Sequence, residues 1–246
     1  MSQADSAKAS KASKASRHFD QELQELRELL LRMASRSEEQ VRDALMAVKR
    51  RDAQAAQHSI GRDREIDALE LDIEERAIAL LARRQPMATD LRTLVSTLKI
   101  SNDLERVGDH AVNIAQCAKR LAEALPMPNL SELDRMADVS TEMLRDAIAA
   151  FIDRDADLAR EVCRRDDQVD RYNDSVFRVM LAEMSRNPNA IIAALQMMLV
   201  ARNLERIADL ATNLGEDVIY IVEARTVKHH AEEIDSHMEE EGEFDQ

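Results

Sequence analysis

Four pairs of acidic residues are the positions in this sequence whose type and spacing best suit chemistry. Within each pair the acids are four residues apart, and the pairs are Asp63 with Asp67, Glu105 with Asp109, Asp166 with Asp170, and Glu205 with Asp209. On an α-helix this spacing points both carboxylates the same way, and like charges so placed repel each other. Carboxylate oxygens are hard ligands, so a divalent or trivalent ion such as Mg, Mn, Fe or Zn would relieve the repulsion. The pattern therefore predicts metal sites.

Arginines near the acids support a different interpretation of the same residues. Arg202 precedes Glu205 by three residues, and Arg206 precedes Asp209 by three. Residues three apart are neighbours on a helix surface, so these arginines can form ion pairs with the acids. A helix face built in this way is solvated and needs no metal.

An internal repeat accounts for the recurrence of the acidic pairs. The first and third pairs match at an offset of 103 residues, and the second and fourth match at an offset of 100. The segments 51–53 and 154–156 both read Arg-Asp-Ala, and the run 104–109 (LERVGD) returns as 204–209 (LERIAD). Two copies of one structural unit are predicted, with one metal site in each. Recurrence of all four pairs favours metal binding over a solvated face.

Composition predicts that helices carry these residues. Aromatic residues make up 2% of the 246 residues, with four glycines and four prolines, whereas Ala, Leu, Met, Glu and Arg are abundant. The latter are strong helix formers. Apolar residues recur every three or four positions through 104–125 and 204–221, as in the buried seam of a helical bundle. With chain reversals predicted near Arg51-Asp52 and Arg154-Asp155, the expected fold is all-α: two tandem three-helix bundles with six long helices.

The two ends of the chain differ in composition from the middle. Residues 1–17 repeat Lys-Ala-Ser, and we expect them to form a disordered leader. Residues 229–246 hold eight acids and no Lys or Arg, so we expect a disordered acidic tail. The proline pair at 126 and 128 indicates a linker between units. The first bundle is therefore placed at 18–126 and the second at 127–228.

Charge and hydropathy argue against several classes of partner. The formal net charge is −14, which leaves no basic footprint for nucleic acid. No apolar run is long enough to span a bilayer, and the N-terminus lacks a secretory signal, so no direct membrane insertion is expected. Cys117 and Cys163 show no disulfide or zinc spacing and suit reduced thiols. These features predict a cytoplasmic protein.

Motifs that would indicate catalysis do not occur in the sequence. It has no Glu-x-x-His motif of the kind used by di-iron helical bundles, and no glycine-rich phosphate loop. We therefore expect a regulator that acts through protein contacts and is not an enzyme. Two alternatives stay open: a metal-free helical adaptor and a carboxylate-bridged metalloenzyme.

Three motifs, in order, resemble those of the PhoU family. They are QPMATDLR at 85–92, NDLERVGDHA at 102–111 and RNLERIAD at 202–209, and the segment 19–23 (FDQEL) and Met33 match the family's start. The resemblance covers about residues 18–228. It implies two similar three-helix bundles lying side by side. It also implies E/D-xxx-D motifs that hold metal ions, which here are the eight acids named above.

The resemblance also implies a function. Members of the PhoU family are negative regulators of phosphate uptake and of the phosphate-starvation (Pho) regulon. They are accessory to the phosphate ABC transporter, with its PstB-like ATPase, and to a PhoR-like phosphate-sensing histidine kinase. They are typically homodimers that act in the cytoplasm. The resemblance thus implies a metal-binding adaptor that links transporter and kinase.

The two copies differ at two positions beside the acids. The first copy has Gly108 and His110 where the second has Ala208 and Leu210. The two metal sites are therefore expected to differ in metal or occupancy. Because His110 has an apolar counterpart, we expect it to be a structural histidine and not a ligand.

Overall fold

Helices account for the regular structure of the described chain, apart from one short 3₁₀ turn. The computed structural model describes residues 3–127 and 130–227, with side chains from His18 onward. The helices are α1 (Gln3–Arg50), α2 (Ala53–Gly61), α3 (Asp63–Arg84), α4 (Thr89–Glu123), α5 (Ser131–Asp153), α6 (Ala156–Arg186) and α7 (Ile191–Glu223), with the 3₁₀ turn at Pro188–Ala190. No β-strand occurs within these residues, and the predicted all-α class is confirmed.

The two predicted chain reversals have the same construction. Arg51 and Arg154 adopt left-handed backbone conformations, with φ of 52° and 53°. The following residue, Asp52 or Asp155, accepts two backbone N–H hydrogen bonds of 2.9–3.0 Å from the first turn of the next helix. Such a cap stabilises a helix by about 1 kcal/mol. The Arg-Asp-Ala segments therefore specify the same turn in both copies.

The second helical rod of the first unit is interrupted. Only Arg62 separates α2 from α3, and its N–H donates to the carbonyl of Ser59 at 3.2 Å in a tight turn. The equivalent rod of the second unit, α6, is continuous. Each unit thus has three rods, namely α1, α2–α3 and α4 in the first and α5, α6 and α7 in the second. The prediction of six long helices is confirmed with this one interruption.

The central helices α4 and α7 run antiparallel. Lys99, near the start of α4, lies 3.0 Å from Asp217, near the end of α7. His110, farther along α4, lies 3.0 Å from Asn203, nearer the start of α7. α4 also packs on α1, α2 and α3, while α7 packs on α5 and α6. Apolar residues of both units form one continuous core around this pair.

The predicted apolar seams lie in this core. Leu104, Val107, Leu204 and Ile207 are all at most 1% exposed. Leu125, expected to end the first seam, is 55% exposed instead. The reason is that α4 ends at Glu123, so the helical period that would bury residue 125 has already stopped.

The N-terminal segment differs from the prediction. α1 begins at Gln3, so the backbone of residues 3–17 continues the first helix, whereas a disordered leader was predicted for 1–17. Ala and Lys are good helix formers, and extending an existing helix needs no new nucleation. The predicted acidic tail at 229–246 and Pro128 of the predicted linker lie outside the described residues. None of the helices described above is long and apolar enough to cross a membrane.

Candidate functional site

Both acidic pairs of the first unit lie together where α3 meets α4. Asp63 and Asp67 occupy the first two turns of α3, and Glu105 and Asp109 occupy successive turns of α4. Burial raises the pKa of the Asp63 carboxyl, a hydrogen bond from Gln40 opposes this, and the negative charges of Asp67 and Asp109 raise it further. Coupling of this kind requires the carboxylates to be near one another. The four acids therefore share one flank of the bundle.

Glu70 is a fifth acid of this flank, and the repeat pattern did not reveal it. Burial raises the pKa of the Glu105 carboxyl to about 7, with contributions from four neighbouring charges, those of Asp109, Glu70, Asp67 and Asp63. Glu70 follows Asp67 by three residues on α3, and its Oε1 accepts a hydrogen bond from Asn102 of α4 at 3.4 Å. The residue equivalent to Glu70 in the second unit is Asn173, so a search for recurring acids passes over it. We call these five acids the first-unit cluster.

A buried glutamine of α1 and a glycine of α4 lie against Asp63. Gln40 is 1% exposed, and its Nε2 donates to Asp63 Oδ1 at 3.2 Å and to the carbonyl of Ser59 at 3.4 Å. Gln40 Oε1 has no hydrogen-bond partner among the described residues. A Cβ at Gly108 would lie 3.1 Å from Ile66 Cδ1, 3.3 Å from Gln40 Oε1 and 3.4 Å from Asp63 Oδ1. Glycine at position 108 therefore lets α4 pass close to both oxygens.

Among the ion pairs of residues 18–127 and 130–227, none includes a member of the first-unit cluster. Arg106 adjoins Glu105 in sequence but pairs with Asp103, at 3.3 Å. Five carboxylates without a counter-charge are the donor set that hard divalent or trivalent cations bind. As the side chains stand, no three acids, histidines or cysteines of the described residues are arranged as a ready-made metal site. Binding therefore requires carboxylates of the cluster to turn toward a common point.

The acids of the second unit occupy the equivalent flank of α6 and α7, but they have partners. Asp166 is 4% exposed and accepts a hydrogen bond from the Thr212 hydroxyl at 3.5 Å. Glu205 lies 2.8 Å from Arg202 and also accepts a hydrogen bond from Asn173 at 3.1 Å. These bonds link α6 to α7 at the level of the acids.

Asp209 and Asp170 are the remaining paired acids of the second unit. Asp209 forms an ion pair with Arg206 at 2.7 Å. Asp170 follows Asp166 by one turn of α6. Arginines of α7 thus neutralise two of the four acids, as the alternative interpretation of the sequence proposed. Among the described residues, such ion pairs involve acids of the second unit and none of the first-unit cluster.

His110 joins the two units. Its Nδ1 lies 3.0 Å from Oδ1 of Asn203, so the contact runs from α4 to α7. This contact between units is the structural role that the sequence predicted.

A second ionic cluster, only partly buried, lies between α4 and α7 beside a cleft of about 470 Å³. Asp217 accepts hydrogen bonds from Lys99 at 3.0 Å and from the Ser96 hydroxyl at 3.4 Å. Burial raises the pKa of the Asp103 carboxyl to about 6 against the opposing charge of Arg106, and Asp217 contributes to the rise. Neither acid recurs in the repeat, so the sequence offered no signal for this cluster.

Comparison with protein families and relatives places the chain among known proteins. The PhoU domain family matches residues 30–118 and 133–218. The phosphate-specific transport system accessory protein PhoU homolog of Clostridium acetobutylicum is 38% identical over 199 residues, which cover 80% of this chain and 91% of that protein. The homolog of the same name from Caulobacter vibrioides is 42% identical over 186 residues, which cover 75% of this chain and 81% of that protein.

Solved structures show the same architecture. The crystal structure of PhoU from Pseudomonas aeruginosa superimposes with a TM-score of 0.82 at 38% identity, covering 84% of this chain and 100% of that one. The phosphate transport system regulatory protein PhoU from Streptococcus pneumoniae gives a TM-score of 0.78 at 30% identity, covering 85% of this chain and 99% of that one. Sequence motifs, repeat and fold agree, and the chain belongs to the PhoU family.

Proposed function

We propose that this chain is an accessory protein of a phosphate-specific transport system and a negative regulator of phosphate uptake and of the Pho regulon. Membership of the PhoU family supports the transport role, because relatives 38% and 42% identical to the chain carry that role in their names. The observation that carries the mechanism is the first-unit cluster, where five acids lie near one another and form no ion pair within the described part of the chain. Such a surface changes its charge and stiffness when it binds a cation.

The residues of the first-unit cluster fit a bound cation. They offer only oxygen ligands, and the buried Gln40 Oε1 behind them lacks a partner. Gly108 allows α4 to approach the Gln40 and Asp63 oxygens closely at the same place. When bound, an ion such as Mg, Mn, Fe or Zn would supply the positive charge that the cluster lacks. The proposed ligands are Asp63, Asp67, Glu105 and Asp109 in the first unit, and Asp166, Asp170, Glu205 and Asp209, with lower affinity, in the second.

The protein's own residues would respond to this neutralisation. With no cation present, the carboxylates of α3 and α4 repel one another, and Glu105 is partly protonated near neutral pH because its pKa is about 7. With the charge neutralised, Asp63 on α3 and Asp109 on α4 no longer repel, so the two helices hold a fixed arrangement. Two cytoplasmic partners, the transporter ATPase and the sensor histidine kinase, would recognise this fixed arrangement of the helices. The chain acts by contact and not by catalytic turnover.

An exposed apolar patch supports the homodimer that forms part of this proposal. It lies where α6 leads into α7, and its members, each 40–61% exposed, are Phe177, Leu181, Ile191, Ile192, Leu195 and Leu199. Such side chains present on the order of 500 Å² of apolar surface, the size of patch that marks interaction sites on soluble proteins. Leu181 and its repeat counterpart Ile78 are both 51% exposed, which makes them a matched pair. Leu181→Glu should dissociate the dimer in sedimentation measurements, whereas Ile78→Glu should not.

Gene deletion tests the regulatory role. In high phosphate, a strain without this chain should express an alkaline phosphatase reporter of the Pho regulon that the parent strain represses. Complementation by the wild-type chain should restore repression, and complementation by the Asp63→Asn, Asp109→Asn double variant should not. Normal repression in the deletion strain, with no second copy of the gene present, would refute the proposal.

A metal-free adaptor is the second candidate, and the ion pairs of Arg202 and Arg206 favour it for the second unit. In that case the acids would only solubilise the bundle or bind basic surfaces of a partner. Elemental analysis of protein purified without chelators separates the two candidates. Substoichiometric Mn, Mg, Fe and Zn, with no rise in melting temperature on metal addition, would establish the adaptor.

A further inference from the structure

The side-chain amide of Gln40 is an anomaly in the core of the first unit. It is 1% exposed, yet only its nitrogen is used, in hydrogen bonds to Asp63 Oδ1 and the Ser59 carbonyl. Its Oε1 is buried and has no hydrogen-bond partner among the described residues. A buried carbonyl oxygen left unpaired is unfavourable, and in native proteins it calls for a specific explanation such as a bound ion or water.

The surroundings of Gln40 Oε1 show where such a partner would lie. The point that a Cβ of Gly108 would occupy is 3.1 Å from Ile66 Cδ1, 3.3 Å from Gln40 Oε1 and 3.4 Å from Asp63 Oδ1. The two oxygens therefore lie side by side against α4, one residue before Asp109. Asp63 and Asp109 are close enough for their charges to interact. The unpartnered oxygen thus belongs to the edge of the first-unit cluster.

The second unit lacks each of these features. Met143 stands at the position of Gln40, and Ala208 stands at the position of Gly108. A methionine at this position can neither donate a hydrogen bond to Asp166 nor offer an amide oxygen. The acidic pairs recur in both units, but the buried amide and the glycine beside it occur together only in the first.

We propose that Gln40 of α1 is a positioning residue of the first-unit cation site. Its Nε2 fixes the Asp63 carboxylate, and its Oε1 faces the coordination shell of the cation, directly or through a bound water. This inference rests on the metal binding in the proposed function and adds a residue from a third helix.

The decisive variant is Gln40→Met, which installs the residue of the second unit. Its affinity for Mn²⁺, measured by isothermal titration and by electron paramagnetic resonance, should fall about tenfold, the usual effect of losing an outer-sphere partner. The melting temperature of the metal-free variant should change little, because the loss of the two hydrogen bonds from Nε2 is offset by removal of the unpaired buried oxygen. A purely structural residue would instead lose stability and leave the affinity unchanged.

Gln196→Met is a matched control. Gln196 is also buried, at 7% exposure, and its Oε1 is likewise without a hydrogen-bond partner in the described chain. It lies on α7 of the second unit and is not among the residues that contact Asp63, so the same substitution there should leave the Mn²⁺ affinity of the first unit unchanged.

The outcomes separate this inference from the proposed function. Equal Mn²⁺ affinity of the wild type and Gln40→Met would overturn the role of Gln40 and leave metal binding intact. A wild-type chain that binds no metal would overturn both the inference and the metal part of the proposed function.

Discussion

The flank formed by α3 and α4 and the flank formed by α6 and α7 carry the same four acids but treat their charge differently. In the first unit, five carboxylates lie near one another, and none of them forms an ion pair with a described residue. In the second, Arg202 and Arg206 pair with Glu205 and Asp209. A repeated motif therefore fixes where acids stand on a helix, while the residues around it decide whether they remain available to a ligand.

The motif arginines show how small the deciding difference is. Arg106 and Arg206 occupy equivalent positions, yet Arg106 pairs with Asp103 whereas Arg206 pairs with Asp209. The position equivalent to Asp103 is Asn203 in the second unit. Asp103 offers Arg106 a charged partner on the side away from the cluster, and neutral Asn203 offers none. One substitution thus redirects an arginine and changes the net charge of a flank.

Metal-dependent stabilisation should give the largest difference between the flanks. Mn²⁺ at about 100 times its Kd should raise the free energy of unfolding by about 2.7 kcal/mol. The double variant Asp63→Asn, Asp109→Asn should lose most of this gain, because it removes a ligand from each helix of the first-unit cluster. Asp166→Asn, Asp209→Asn should keep most of it. Urea titrations with and without Mn²⁺ measure the effect, and equal losses would remove the distinction between units.

Where the two units are built alike, equal substitutions should have equal effects. Asp52→Ala and Asp155→Ala should each lower the free energy of unfolding by about 1 kcal/mol, because each removes the acceptor of two backbone N–H groups at a helix start. Urea denaturation of the metal-free protein measures both. A cost confined to one variant would show that the two turns are not equivalent.

Glu105→Gln and Glu205→Gln should change the free energy of unfolding in opposite directions at pH 7 without metal. The pKa of Glu105 rises from 4.5 to about 7 on folding, so the contribution of this group to stability is fully present below pH 4.5 and is lost as pH rises through about 7. Glu105→Gln should remove this decline and stabilise the protein by on the order of 0.5 kcal/mol after solvent screening. Glu205→Gln should destabilise it by a similar amount, because Arg202 loses its partner.

Thermal melts of these two variants between pH 4.5 and pH 8 provide the measurement. The wild type and Glu205→Gln should both lose stability over the window in which the Glu105 proton is released, whereas Glu105→Gln should lose less. Parallel profiles for the wild type and Glu105→Gln would show that this carboxyl does not titrate in that window.

Exchanging one residue between the flanks should have the smallest effect. Arg202→Asn gives the second unit the residue of the first and should tighten its Mn²⁺ binding about threefold, since one exposed charge acts weakly through water. Asn102→Arg should weaken Mn²⁺ binding by the first unit by a similar factor. Isothermal titration with the other unit's acids substituted resolves each site, and a shift in the same direction for both exchanges would contradict the comparison.

The features that repeat or follow a helical period could be predicted from the sequence. The reversals at Arg51 and Arg154 followed from the aspartates after them, and the shared flank of Asp63 and Asp67 followed from their spacing. These signals are local, because a cap or a helical face is decided within a few residues.

Features that depend on contacts between distant segments could not be predicted in this way. Glu70 and Gln40 join the first-unit cluster from positions without acidic or amide counterparts in the second copy. The choice of Arg106 between two possible acids depends on the packing around it. The ion pair of Lys99 with Asp217 joins residues from different units, and no sequence pattern within either copy predicts it.

The unbroken apolar interior that surrounds α4 and α7 has a thermodynamic consequence. If one unit unfolded, apolar side chains of the other unit would be exposed to water. The molecule should therefore unfold in one cooperative transition, although its sequence is an internal repeat. A ligand bound to the first unit should therefore also stabilise the second unit against thermal unfolding. We therefore expect the two repeats to form a single folding unit that carries two different acidic flanks.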